Sequence, residues 1–182
     1  MYQTGDYIVK SGNGVCRVDS TVHLNFAGAD KNKLYYLLIP VEDEKGKIYM
    51  PTDTTDTTVR KAMTEQEAEA LLNRIPAIEE QWVENDKLRE KRYKDAIKSN
   101  RPEELVAVIK MTYLRKKKRA EEGKRGTVVD ERYFRIAENM LYAEIGFALG
   151  TDKDKVRDRI IEFCQQKMDE DTKETKENEK NG

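Results

Sequence analysis

Leu34-Tyr35-Tyr36-Leu37-Leu38-Ile39, closed by Pro40, is a continuous run of apolar residues. It is too short for a helix, rich in β-forming side chains and stopped by a residue that cannot continue a ladder. It reads as a well-buried strand. Upstream, Gly5-Asp6 marks a turn before Tyr7-Ile8-Val9. Ser11-Gly12-Asn13-Gly14 is a second turn before Val15-Cys16-Arg17-Val18, and Thr21 to Phe26 is a further β-rich stretch. A polar turn at Gly28–Asn32 leads into the apolar run. Downstream, Glu42–Gly46 is another turn, and Lys47-Ile48-Tyr49-Met50 is a short strand closed by Pro51. Short strands at this spacing predict a small curved sheet or barrel.

Beyond residue 62 the pattern changes to helical. Thr64-Glu65-Gln66-Glu67 is a capping box, with Ala68, Leu71 and Leu72 behind it and Pro76 as a stop. A second helix is expected over 78–99, with Trp82, Leu88, Tyr93, Ala96 and Ile97 on its apolar face. Pro102-Glu103-Glu104 opens a third, with the stripe Leu105, Val106, Ile109, Tyr113 and Leu114. Thr127–Asp130 caps a fourth, striped by Ile136, Ala137, Met140, Leu141 and Phe147 and ended by Gly150. Thr151–Asp154 caps a fifth, burying Val156, Ile160, Ile161 and Phe163. The expected fold class is α+β: a small β module followed by a helical bundle of about five helices. The expected domains are 1–62 (β module), 63–76 (connecting helix), 77–167 (helical module) and 168–182 (a disordered acidic tail).

Charge is unevenly spread. Residues 87–125 hold fifteen Lys or Arg against six Asp or Glu, a local net charge of +9 in a chain whose total is −1. A block this basic points to a polyanion partner, because phosphate contacts supply most sequence-independent nucleic-acid affinity. The bland alternative is a solvated helix face, with Arg115-Lys116-Lys117-Lys118-Arg119 placed at a helix end by the dipole. Residues 168–182 carry a net charge of −3, which reads as a solubilising tail or as a competitor for the basic block.

Other classes are disfavoured. No run of about 18 apolar residues is present, so no membrane helix is expected. The stretch Met1–Asp6 lacks the features of a signal peptide, and a cytoplasmic protein is expected. Cys16 and Cys164 are the only cysteines; far apart and outside any CxxC, they argue against a disulfide framework or zinc site. Gly12-Asn13-Gly14 is not followed by GK[ST], so it is not a phosphate loop. His23, the single histidine, reads as structural, and no catalytic constellation, metal site or cofactor is expected.

The ordered set of motifs resembles the CarD family of bacterial transcription regulators, which includes the CdnL proteins. The resemblance is carried by Gly5-Asp6-Tyr7-Ile8-Val9, Gly14-Val15, Tyr35–Pro40, Ile48-Tyr49-Met50-Pro51, Thr64–Ala68 with Leu71-Leu72, Lys91-Arg92-Tyr93-Lys94 and the helix from Glu103 to Lys117. It covers roughly residues 1–150. It implies a Tudor-like β module docking on the β-subunit lobe of RNA polymerase. It also implies a helical module contacting promoter DNA at the upstream edge of the bubble, where a tryptophan wedges into the minor groove. Such proteins stabilise the open promoter complex, perform no chemistry and sit on the nucleoid through the polymerase; a monomer is expected.

With this resemblance, the candidate DNA contacts are Trp82, Arg89, Lys91, Arg92, Lys94, Arg115, Lys116, Lys117, Arg119, Lys124 and Arg125. The candidate polymerase contacts are Leu24, Lys47, Ile48, Tyr49 and Met50, with strand 47–50 offering an edge to a partner sheet. Two departures stand out. In several relatives the wedge lies where this chain has Arg89, and the only tryptophan, Trp82, lies seven residues earlier. A seven-residue insertion in a continuous helix shifts the face by only about 20°, which keeps Trp82 in play. Alternatively Trp82 is core and Arg89, or nothing, enters the groove. Polymerase-contacting arginines of some relatives fall on Leu24 and Tyr49. Two further readings stay open: an RNA- or ribosome-associated protein using sheet aromatics, and an adaptor with no nucleic-acid role.

Overall fold

In the computed structural model, residues 1–25, 30–55, 58–79 and 82–162 are described. Phe163, Cys164 and the acidic tail lie outside them, as does the stretch 26–29 that holds part of one expected turn. The fold is α+β. Five antiparallel strands, β1 (Tyr7–Lys10), β2 (Gly14–His23), β3 (Leu34–Pro40), β4 (Ile48–Pro51) and β5 (Val59–Lys61), form one sheet in the order β4-β3-β2-β1-β5. The helices α1 (Glu65–Arg74), α2 (Asp86–Ser99), α3 (Pro102–Glu121) and α4 (Val128–Leu149) follow. A 3-10 turn over Ile75–Ala77 ends α1, and residues 153–162 are also helical, a segment we call α5.

The sheet differs from the sequence expectation in three ways. The two stretches expected on either side of residue 19 are one strand, β2, whose register against β3 shifts between Val18 and Ser20. Such a bulge bends a strand and increases its twist, which keeps one strand continuous around a curved sheet. β5 was not expected, because three residues, Val59-Arg60-Lys61, carry no readable period; it exists because β1 offers it a ladder. β3 is buried on one face rather than throughout. Tyr36 and Leu38 point into the core with Ile8, Cys16, Val18, Met50 and Val59, while Tyr35 and Leu37 are half-buried. Gly12 (φ +82°) and Gly14 (φ +69°) supply the left-handed backbone of the β1–β2 turn.

Capping went as the sequence indicates. Thr64 and Glu67 form a complete capping box, and Thr127 caps α4. α2, however, starts at Asp86 behind the cap Asn85, eight residues later than expected, so Trp82 precedes the helix. The apolar faces also need correction. Leu88 of α2, Tyr113 and Leu114 of α3, Ile136 of α4 and Ile161 of α5 are exposed. The α3 face that packs inward runs through Leu105, Val108, Met111, Thr112 and Arg115. A buried arginine is thus part of the bundle interior, which a hydropathy stripe cannot register.

The two modules meet through polar groups. Glu144 of α4 is 1% exposed. Its Oε1 and Oε2 accept from Arg60 Nη1 and Nη2 of β5 at 2.5 and 2.6 Å, and its Oε1 accepts from the Met63 amide at 3.0 Å. Asn100, the left-handed C-cap of α2 (φ 55°), donates Nδ2 to the carbonyls of Val9 and Thr58 at 3.2 and 3.0 Å, and its own carbonyl accepts from Arg60 Nε at 2.7 Å. The rings of Tyr7 and Phe147 meet across the same junction, tilted at 47° with centroids 4.7 Å apart. Directional bonds of this kind set one relative orientation, which apolar burial alone would not.

Candidate nucleic-acid interface

The organising residue of the helical module is Asp130. It sits in the first turn of α4, where its amide donates to the Thr127 hydroxyl at 3.1 Å and the helix dipole favours an anion. Asp130 is 5% exposed and serves three helices. Oδ1 accepts from Tyr93 Oη of α2 at 2.9 Å and from Arg89 Nε of α2 at 3.3 Å; Oδ2 accepts from Arg115 Nε of α3 at 3.2 Å. Burial on its own raises its pKa, but hydrogen bonding to Thr127, Tyr93 and Arg115 outweighs this and holds the carboxyl below its usual value. The Tyr93 phenol is pushed well above its ordinary range by burial and by the Asp130 charge, so it stays a donor.

This arrangement corrects two candidate DNA contacts. Arg89 is 2% exposed, and each of its three nitrogens is engaged: with Asp130, with Asp86 Oδ1 at 2.7 Å, and with the carbonyls of Val83 and Glu84 at 3.4 and 3.2 Å. It ties the segment before α2 to the bundle. Arg115 is buried as well and bonded to Asp130. In both cases a charge that reads as a surface group is the partner of a buried carboxylate.

Trp82 is 40% exposed and lies outside any helix. It is neither core nor on a continuous α2 face. The indole rests on α3: Arg115 Cζ lies 5.5 Å and Lys118 Nζ 5.0 Å from the ring centroid, within cation–π range. Its Nε1 donates to Glu84 Oε1 at 2.7 Å, and Lys118 Nζ lies 3.7 Å from the same oxygen. Lys110 of α3 fixes the entry to this segment by donating Nζ to the carbonyls of Ile75, Pro76 and Ile78. Trp82 is therefore a seated, half-open aromatic among cations.

The remaining basic candidates fall into two groups. Lys116, Lys117, Arg119, Lys124 and Arg125 gather at the C-terminal end of α3 and the turn after it, where Arg119 Nε donates to the Arg125 carbonyl at 2.7 Å. Lys116 and Lys117 are exposed and have no carboxylate partner among the described residues. Arg92 belongs elsewhere: it pairs with Glu104 at 2.8 Å near the start of α3, roughly 18 Å along the axis from residue 116 at 1.5 Å per residue. Lys94 pairs with Glu90 one turn back at 3.0 Å, and Lys91 is exposed on the same helix.

On the β module, Lys47 and Tyr49 are exposed on or beside the edge strand β4, and Ile48 is half-buried. Leu24 and Met50 are corrected: both are buried, Met50 because alternate residues of β4 face the sheet core. Asp130, Glu144, Asn100 and Glu84 were missed as determinants. Only the cap Thr127–Asp130 left a trace in the sequence; Glu144 and Asn100 act through partners distant along the chain, and Glu84 joins nearby Trp82 to the distant Lys118.

A curved five-stranded β module is thus joined by buried polar bonds to a cationic helical bundle. Residues 2–63 match the family model described as the CarD-like/TRCF RID domain. The match covers the whole sheet and is consistent with a CarD-like family for the chain. That domain is a protein-interaction module for the RNA polymerase β subunit, not an enzymatic one, and supports a transcription-related role. No curated protein matches the chain. No helix among the described residues is long and apolar enough to cross a membrane.

Proposed function

We propose that this protein is a transcription regulator that docks on the polymerase β subunit through residues 2–63 and stabilises the open promoter complex with Trp82. The observation that carries the reading is the seat of Trp82. A half-exposed indole flanked by Arg115 and Lys118 is held, through α4 and Glu144, at one position relative to the polymerase-binding type of module. A wedge of this kind offsets the few kcal/mol needed to pry apart a base step. A protein that touches only the melted fork shifts the closed-to-open equilibrium by its differential affinity for the two states. Exposed Tyr49 on edge strand β4 and Lys47 just before it are the proposed polymerase contacts.

Open-complex lifetime with the cognate polymerase tests this. Wild type is expected to prolong it; Trp82→Ala is expected to lose up to about tenfold of that gain, equivalent to about 1.4 kcal/mol, with polymerase binding retained. No prolongation by wild type overturns the proposal. Equal prolongation by both leaves polymerase docking in place and removes the wedge.

The cation cluster makes a separate prediction. Lys116→Glu with Lys117→Glu is expected to weaken binding to a fork duplex and to flatten the slope of log affinity against log salt by about 2, since each phosphate contact contributes about 0.9. Thermal stability should not change, because both side chains are exposed and have no carboxylate partner among the described residues. An unchanged slope would show that these lysines meet no phosphate.

A further inference from the structure

We propose that Glu84 is an internal competitor for nucleic-acid phosphate at Trp82, and so sets how tightly the helical module grips a fork. The inference rests on the DNA-contact reading above and adds a residue to it. Glu84 Oε1 accepts from the indole Nε1 at 2.7 Å and lies 3.7 Å from Lys118 Nζ, while Lys118 itself covers the ring. An anionic oxygen bound to an indole N–H beside an ammonium is the arrangement that a backbone phosphate oxygen makes in a protein–DNA contact. In the free protein the carboxylate occupies it.

The placement of Glu84 has no structural need. Its side chain is exposed, so it satisfies no buried group. The cap of α2 is complete without it, because Asn85 Oδ1 already accepts from the amides of Lys87 and Leu88. Its backbone is nonetheless fixed, since its carbonyl accepts from the buried Arg89. The carboxylate can therefore swing away without disturbing the chain on either side, exposing the indole N–H and Lys118 together. The indole hydrogen bond and Lys118 also hold its pKa below the ordinary glutamate value, so it stays charged, and competing, at neutral pH.

The test uses the full chain, a partly melted fork duplex and a double-mutant cycle with Lys118. Glu84→Gln is expected to raise fork affinity about three- to tenfold at low salt. It should also steepen the salt slope by about 0.9, because one more cation becomes available to phosphate. In a Lys118→Gln background the same change is expected to gain less than twofold. Trp82 is the only tryptophan, so its emission reports this site alone and should shift in Glu84→Gln before any DNA is added. Equal gains in both backgrounds mean general charge repulsion and overturn the inference while leaving DNA binding intact. No gain in either background overturns it in the same way. If wild type and Glu84→Gln both fail to bind the fork at low salt, the DNA-contact reading falls and the inference falls with it.

Discussion

Asp130→Asn is expected to destabilise the protein by about 3–5 kcal/mol, the usual effect of removing one partner from a buried ion pair. The substitution preserves shape and removes the charge. Arg89 and Arg115 are then left buried beside a neutral amide whose nitrogen is itself a donor. Three helices lose their common acceptor at once, so no single side-chain shift repairs the site. For a chain of this size the melting temperature should fall by roughly 10 °C. A loss below 1 kcal/mol in denaturant unfolding would refute the assignment of Asp130 as the hub.

The pH dependence has a definite sign. The Asp130 carboxyl titrates below its ordinary value in the folded protein. Its stabilisation is thus fully present above the unfolded-state pKa of about 3.9 and is lost as pH falls through the folded value. The difference between wild type and Asp130→Asn should be constant from pH 7 to about 5 and close below about 4. Unfolding curves across that range measure it. Because Arg115 also supports the indole, Trp82 emission should change in the same variant, linking the core ion pair to the proposed wedge.

The second large effect is at the junction of the modules. Glu144→Gln is expected to lower stability by about 3 kcal/mol, the lower end for a buried pair because Arg60 is partly exposed and can regain water. Arg60→Gln combined with Glu144→Gln should recover part of this, with a coupling energy of about 1–3 kcal/mol in a double-mutant cycle. The functional outcome is more telling than the stability. Glu144 bonds β5 and the start of α1 to α4, so its loss loosens the orientation rather than either core. Polymerase binding by the variant should persist while open-complex lifetime falls toward that without the protein. Full open-complex activity in a destabilised variant would show that a fixed orientation is not required.

These predictions separate what was legible in the chain from what was not. The β module was legible because its strands alternate or run apolar between Gly, Pro and Asp turns, and the family match over residues 2–63 agrees with that reading. The Thr64 capping box, the Thr127 cap and the Gly150 stop were legible because they are local: a hydroxyl and an amide three residues apart find each other whatever the rest of the chain does. The basic block was legible as charge, but composition does not distinguish a lysine in water from an arginine bonded to a buried aspartate. Arg89 and Arg115 were misread for that reason; their partner Asp130 lies 41 and 15 residues away.

By itself, then, the sequence determined the order of a curved sheet and a helical bundle, the caps of α1 and α4 and the location of a cationic end on α3. All of these follow from interactions within a few residues. Only the tertiary structure decided which charges are core and which are surface, how Trp82 is seated on Arg115 and Lys118, and how Glu144 and Asn100 join the modules. Those outcomes depend on groups that meet only after the chain has folded, and the low dielectric of the interior then makes each unpaired donor or charge costly enough to fix a single arrangement.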